Sequence, residues 1–470
     1  GTTEIGIDDS FFALGGDSLL ATRLIGRIRP AFGIDLPIRA IFDCPAIATL
    51  ATRIAADDAL EPARPALTPQ PRPDPLPLSF AQQRLWFLSQ LEGPSATYNI
   101  PMALRIGGDL DADALQAALN DVIARHEALR TRFPAADTPR QEVLDHAALT
   151  LRRRDVTEGE LDAALAEGAA QVLDLADGLP LAATLFRLGD QDHVLLLVIH
   201  HIAGDGASMA PLATDLSAAY AARLADRAPD WPALPVQYGD YTLWHRALLG
   251  DRNDPESRHA RQLQFWKQTL ENIPEKIELP TDRTRPPVAS YRGETLRVTL
   301  PAALTARMQA LAGAKDATLF MLLQAGVAAL LSRLGAGPDI VLGAPVAGRT
   351  EPGLDDLVGL FTNTVVTRVD LSGTPSLDML IERLRKNSLA ASDHQDLPFE
   401  ELVEALNPTR SLAHHPLFQV LVALQNTAEP HCALPGCTIS EQRLQCSHAR
   451  FDLSFDFAPV GAGGEGGLEL

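Results

Sequence analysis

The stretch "EPARPALTPQPRPDPLPL" (61–78) places a proline at nearly every second or third position. Each proline locks φ at about −65° and removes a backbone donor, so neither a helix interior nor a central strand runs through such a segment. The composition favours extended polyproline II and a fairly stiff spacer. It divides the chain into a short region, 1–58, a linker, 59–76, and a large region, 77–470.

In the large region, "HVLLLVIHH" (193–201) is a continuous apolar run, the pattern of a strand buried on both faces. The segment that follows sets Leu212, Leu216, Tyr220 and Leu224 four apart, on one helix face. Further on, "GETLRVTLP" (293–301) alternates like a strand, "LFMLLQAGVAALLSRLGAG" (319–337) reads as a buried helix, and "DIVLGAPVAGR" (339–349) as a strand entering a loop. Strand–helix units in both halves predict an α/β region of two subdomains, 77–248 and 249–470, after a small all-α unit.

Composition narrows the function. The 470 residues carry a formal net charge of −20, which argues against nucleic acid and anionic membranes as partners. No apolar run suggests a bilayer span and no signal peptide opens the sequence, so a cytoplasmic location and a monomer are expected. The four cysteines are too few for a disulfide framework. Cys432, Cys437 and Cys446 lie near His431 and His448, but the spacings do not match paired zinc ligands, so no metal is expected.

Near the N-terminus, "ALGGDSLLATRL" (13–24) sets Ser18 before a helix whose stripe is Leu20, Leu24 and Ile28. Asp17 or Ser18 can serve as the N-cap, with the glycines making the turn. A phosphodiester on Ser18 would also sit at the positive end of that helix. No neighbouring group resembles a nucleophile's activating partner. The longer stretch "DDSFFALGGDSLLATRLIGRI" (8–28) resembles the carrier-protein motif of nonribosomal peptide synthetases. That resemblance implies 4'-phosphopantetheine attached to Ser18 by a separate phosphopantetheinyl transferase. It also implies a carrier whose first helix is missing, so an N-terminally incomplete helical bundle is expected. Asp17 stands where carriers feeding condensation domains more usually show His; the Asp form is common before epimerisation domains.

"HHIAGDG" (200–206) ends the buried strand in two histidines followed by a glycine-bearing turn. Successive strand residues point to opposite faces, so only one of the two histidines should face a given cleft; a lone buried histidine is more often a satisfied core residue, which is the reading for His200. Divergent histidines make a poor metal site, and no G-x-S-x-G stretch supports a serine hydrolase. The stretch resembles the HHxxxDG signature of condensation domains, shared more loosely with chloramphenicol acetyltransferase-like acyltransferases. "SFAQQRLWFLSQLEG" (79–93), "RHEALRTRF" (125–133), "YGDYTLWHR" (238–246), "LGAPVAGR" (342–349), "GLFTNTVVTR" (359–368) and "HQDLPFEELVEAL" (394–406) resemble the family's other motifs, in its order.

The resemblance implies two chloramphenicol acetyltransferase-like subdomains in a V with a central tunnel. His201 is then the active-site histidine, with His200 beside it. Asp205 is structural and expected to pair with Arg283, or otherwise Arg285, from "PTDRTRP". The Gly206 N–H is expected to help hold the thioester, and Asn363 to lie near the subdomain junction. The implied reaction joins a donor thioester on Ser18 to the amine of an aminoacyl thioester on a downstream carrier, between upstream and downstream synthetase modules. The L-donor, L-acceptor type fits best. An epimerisation domain, an inactive carrier-gating module and a coenzyme A acyltransferase are the alternatives. The end, "GEGGLEL", resembles a late strand, after which the family usually adds a helix.

Overall fold

The computed structural model describes residues 5–56, 61–62, 64–93, 95–408, 411–426, 431–444, 448–461 and 466–470. The first body is helical: α1 (Ser18–Phe32), α2 (Arg39–Asp43) and α3 (Ile47–Ala56). Asp17 caps α1, its carboxylate accepting from the Leu20 N–H at 2.8 Å. The glycine pair before it is sterically required. Gly15 has φ +91°, and a Cβ on Gly16 would fall 2.3 Å from the Phe11 ring. The expected stripe is rotated: the buried residues are Ala21, Ile25, Gly26, Ile28 and Arg29, while Leu20 is exposed. Rotation occurs because α1 packs against the large region, and the apolar residues of both merge in one core cluster.

The described residues of the linker do not form a free tether. Glu61–Pro62 pairs antiparallel with Ile34–Asp35. Beyond it, the Pro65 carbonyl accepts from Trp244 Nε1 at 2.6 Å, and Arg72 reaches Glu127 and Asp240.

Among the described residues, two large sheets build the lobes of the large region, beside a small one of Leu76–Pro77, Arg140–Val143 and Thr131–Arg132. The N-terminal sheet runs Cys437–Glu441, Asn99–Gly108, Asp192–His200, Leu181–Gly189, Arg152–Asp155. Asp192–His200 is central and buried from His193 to His200, though both its neighbours are antiparallel. Burial on both faces comes from helices on both sides. Val194, Leu196 and Val198 meet Leu161, Ala164 and Leu165 of Glu158–Ala169. Leu195, Leu197 and Ile199 meet Ala112–Arg125 and Met209–Leu224, the latter through Leu212, Leu216 and Tyr220.

The C-terminal sheet runs Thr299–Leu300, Leu468–Glu469, Leu453–Pro459, Val420–Leu424, Asp339–Val346, Asn363–Asp370. The alternating stretch 293–301 is a strand only at Thr299–Leu300, where Leu468–Glu469 reaches it. The apolar segment from Leu319 forms a 13-residue α-helix, Leu319–Leu331, packed on this sheet. With the π-helical turn Ser332–Ala336 that continues it, the helix is long and apolar enough to cross a bilayer by length and composition, but its buried face packs into the core on this sheet, and a buried core helix meets the same criterion.

One strand crosses the division expected near residue 248/249. Cys437–Glu441, from the expected C-terminal subdomain, crosses over and pairs with Asn99–Gly108, Ile439 opposite Ile106. Its backbone groups find partners on that sheet's open edge, so the C-terminal lobe lends one strand to the N-terminal sheet.

Candidate active site

The strand Asp192–His200 delivers both histidines. The His200 ring turns inward, 4% exposed, and its Nδ1 accepts from the Ile202 N–H at 3.1 Å. Burial, aided by the neighbouring His201 and Arg450, pushes its pKa down to about 3, so it is a neutral structural group. His201 turns the other way. Its backbone N–H donates to the Tyr98 carbonyl at 2.8 Å, and its Nδ1 lies 2.8 Å from the Gly204 carbonyl. A carbonyl only accepts, so Nδ1 carries the proton and Nε2 keeps its lone pair. Among the described residues Nε2 has no hydrogen-bond partner. Burial and then the Arg450 cation lower the His201 pKa. Arg450 lies 4.8 Å over the Tyr98 ring and donates from Nε to the Thr97 carbonyl at 3.2 Å. Sequence reasoning missed Arg450, since its position becomes meaningful only beside Tyr98.

Asp205 is 0% exposed and joins the two lobes. Oδ1 accepts from the Ser208 N–H at 3.0 Å; Oδ2 accepts from the N–H groups of Phe361 at 2.9 Å and Thr362 at 3.1 Å. The Ser208 hydroxyl lies 2.7 Å from Asp205 Oδ1 and accepts from the Gly359 N–H at 3.1 Å. The arginine partner is Arg349, not Arg283 or Arg285. Arg349 Nη2 donates to Asp205 Oδ1 at 3.3 Å, and its guanidinium covers the Phe361 ring at 4.3 Å. Arg285 instead pairs with Asp452, and Arg283 is exposed. The signal for Arg349 was present in "LGAPVAGR": an arginine just past a buried strand end, where a rigid element can deliver it.

Gly206 follows Asp205 and is exposed; a Cβ there would meet nothing within 4 Å, and its backbone does not demand glycine. Asn363 starts its strand, and its amide is occupied. Nδ2 donates to the Gln395 and Leu397 carbonyls at 2.9 and 2.8 Å, and Oδ1 accepts from the Phe399 N–H at 3.0 Å. It secures the "HQDLPFE" turn. Tyr238, the first residue of the "YGDYTLWHR" motif, donates to the Leu360 carbonyl at 2.7 Å and lies 2.9 Å from Ser79 Oγ.

Ser18 occupies the first turn of α1, half-buried, and its hydroxyl has no partner among the described residues. The Asp17 carboxylate beside it is already engaged by the Leu20 N–H and by Asn426 Nδ2 at 2.9 Å. An unpartnered hydroxyl at a 15-residue helix N-terminus fits a phosphodiester. Among the described residues no histidine, cysteine and carboxylate cluster could hold a metal; Cys432 and Cys437 are free thiols, and Cys446 lies outside the described residues.

The sequence matches the family described as Condensation domain over residues 73–468, and that described as Phosphopantetheine attachment site over 1–54. It is 50% identical over 461 residues to a dimodular nonribosomal peptide synthase of Bacillus subtilis, covering 97% of this chain and 19% of that protein. An isonitrile lipopeptide synthase of Mycobacterium tuberculosis is 46% identical over 477 residues, covering 98% of this chain and 19% of that protein. Among solved structures, the X-domain from teicoplanin biosynthesis has a TM-score of 0.81 at 35% identity, covering 86% of this chain and 90% of that one. The first condensation domain of the CDA synthetase shares the fold, with a TM-score of 0.66 at 23% identity, covering 84% of this chain and 91% of that one. The chain thus spans a fifth or less of the two synthetases it matches. Carrier helices with Ser18 at their head, followed by a two-lobed domain with His201 at a strand end, make this chain a carrier-plus-condensation unit, a member of the condensation-domain family of nonribosomal peptide synthetases.

Proposed function

We propose that the chain forms an amide bond between a donor acyl or peptidyl unit on Ser18 and the amine of an aminoacyl thioester on a downstream carrier, with L-configured donor and acceptor. The observation that carries this reading is the His201 tautomer, Nδ1–H fixed on the Gly204 carbonyl with Nε2 left as a base. When attached, phosphopantetheine supplies a flexible arm whose thiol holds the donor as a thioester. His201 Nε2 accepts a proton from the amine as the C–N bond forms. It returns that proton to the thiolate as the C–S bond breaks, so protons balance without metal or ATP.

Ser18 as donor attachment is supported by where α1 sits. Asn426, bonded to Asp17, follows the strand Val420–Leu424; Arg349 follows the parallel strand Asp339–Val346. The carrier head and the Asp205 anchor therefore lie at the same end of one sheet, beyond the C-terminal ends of two parallel strands. A transferase that modifies Ser18 and neighbouring synthetase modules complete the reading.

The test loads Ser18 with a dipeptidyl-phosphopantetheine and adds a separate aminoacyl carrier. Mass spectrometry follows transfer, and chiral analysis follows the donor residue. A lengthened peptide on the acceptor, slowed about 10²–10⁴-fold by His201→Ala, is expected. A donor that stays unlengthened while its α-carbon scrambles would establish epimerisation instead. No change in either carrier would favour a gating role.

A further inference from the structure

The carrier does more in this structure than hold a serine. Its α1 lies directly on the segment that follows Asp339–Val346, the segment that carries Arg349. A Cβ on Gly26 would fall 2.6 Å from the Thr350 carbonyl, so the backbones meet with no side chain between them. On either side, Arg29 reaches Glu351 at 3.5 Å and Arg23 reaches Asp355 at 3.7 Å. The far face of the same segment wraps Arg349, whose Nη1 donates to the Leu354 carbonyl and, at 2.9 Å, to the Leu357 carbonyl. Arg349 Nη2 then holds Asp205 and Ser208. One turn of loop thus separates a carrier helix from the anchor of the catalytic turn.

A buried ionic junction fixes the helix in that place. Asp35 of the carrier meets Arg29, at 2.6 Å, together with Arg64 of the linker and Arg258 of the condensation domain. Arg64 makes a second, bidentate contact to Asp396, both bonds 2.9 Å, and Arg258 reaches the same carboxylate at 3.0 Å. Asp35 and Asp396 are each less than one-tenth exposed. Such a network adds little net stability, since desolvation offsets much of the attraction, but it tolerates few other arrangements of its charges.

We propose that the docked carrier is a positioning element of the condensation site: α1 braces segment 349–357, which holds Arg349 on Asp205 and so keeps the His201 turn in its reactive geometry. This rests on the condensation reading. It makes Gly26 and Arg29, residues of the carrier, determinants of a step in which the carrier body takes no chemical part.

The test separates bracing from delivery. The apo chain, with Ser18 unmodified, is given a soluble dipeptidyl thioester of N-acetylcysteamine as donor and an aminoacyl carrier as acceptor. It is compared with a Gly26→Leu, Arg29→Glu chain, altered only in the carrier. Hydrogen exchange reads α1, residues 349–362 and residues 201–208. Expected are faster exchange in all three segments, with Val194–Ile199 unchanged, and a kcat for the soluble donor lowered ~10–100-fold. Faster exchange confined to α1 with an unchanged kcat overturns the proposal, because the carrier then undocks without consequence. Unchanged exchange in α1 overturns it too, because the Thr350 contact then does not hold the helix. If the parent apo chain itself forms no amide, the condensation reading fails instead.

Discussion

Two adjacent histidines leave one strand with opposite fates because their imidazoles meet different partners. His200 Nδ1 accepts from a backbone N–H in the core, whereas His201 Nδ1 donates to a carbonyl and leaves Nε2 open. Burial and the Arg450 cation both disfavour protonated His201, so its lone pair persists above a lowered pKa and is lost as pH falls through it. The acid limb of kcat/KM is therefore expected below about 6.5, the ordinary histidine value. Arg450→Met should move that limb upward; a parent limb at or above 6.5 contradicts the assignment. For Asp205 the buried partner is decisive. Asp205→Ala and Arg349→Met are each expected to cost about 3–5 kcal/mol in urea unfolding, because each strands a buried group, and to be strongly non-additive. Arg283→Ala should stay within about 0.5 kcal/mol. Gly206→Ala meets open space, so it should leave stability within about 0.5 kcal/mol while slowing transfer. Equal rates would show that substrate does not run past that Cα.

At the scale of elements, the linker behaves as a strap. Proline dictates its extended form, but its place is set by Arg64, Pro65, Gln70 and Arg72 meeting Asp396, Trp244 and Asp240. Arg64→Met is expected to let the carrier tumble independently, seen as narrower carrier resonances in NMR relaxation. Salt near 1 M should do so far less, because buried pairs are poorly screened. Release by salt alone would place these charges in water. The same reasoning explains the rotation of α1. Periodicity marks which residues are apolar, but Arg29 and Gly26 are buried because a second body lies on them.

Across the whole molecule, two of the devices that join the lobes are the donated strand Cys437–Glu441 and Asp205 bonded to residues 349–362, beside the Tyr238 and Arg450 contacts. Both make the lobes share stability. Slow amides of Asn99–Gly108 and of Val420–Leu424 are expected to exchange with one opening free energy, within about 1 kcal/mol. Two well-separated values would mean that the lobes unfold independently. The carrier adds a third body through continuous core, since Ile25, Ile28, Ile41 and Phe42 lie in one cluster with Leu322, Leu380 and Leu384.

The sequence by itself determined what is local. A proline-rich stretch disfavours helix, a short, β-branched apolar run fits a buried strand, and a serine after a glycine turn heads a helix. Each follows from backbone sterics or side-chain period within a dozen residues. It also marked Ser18, His201 and Asp205 as the residues to watch. Only the tertiary structure decided the pairings between distant segments. Arg349 rather than Arg283 reaches Asp205, Cys437–Glu441 joins the other lobe's sheet, and the carrier lies against the loop behind the His201–Asp205 turn. The physical reason is that a buried charge or an open strand edge needs a partner, and any of several segments satisfies that need until packing selects one.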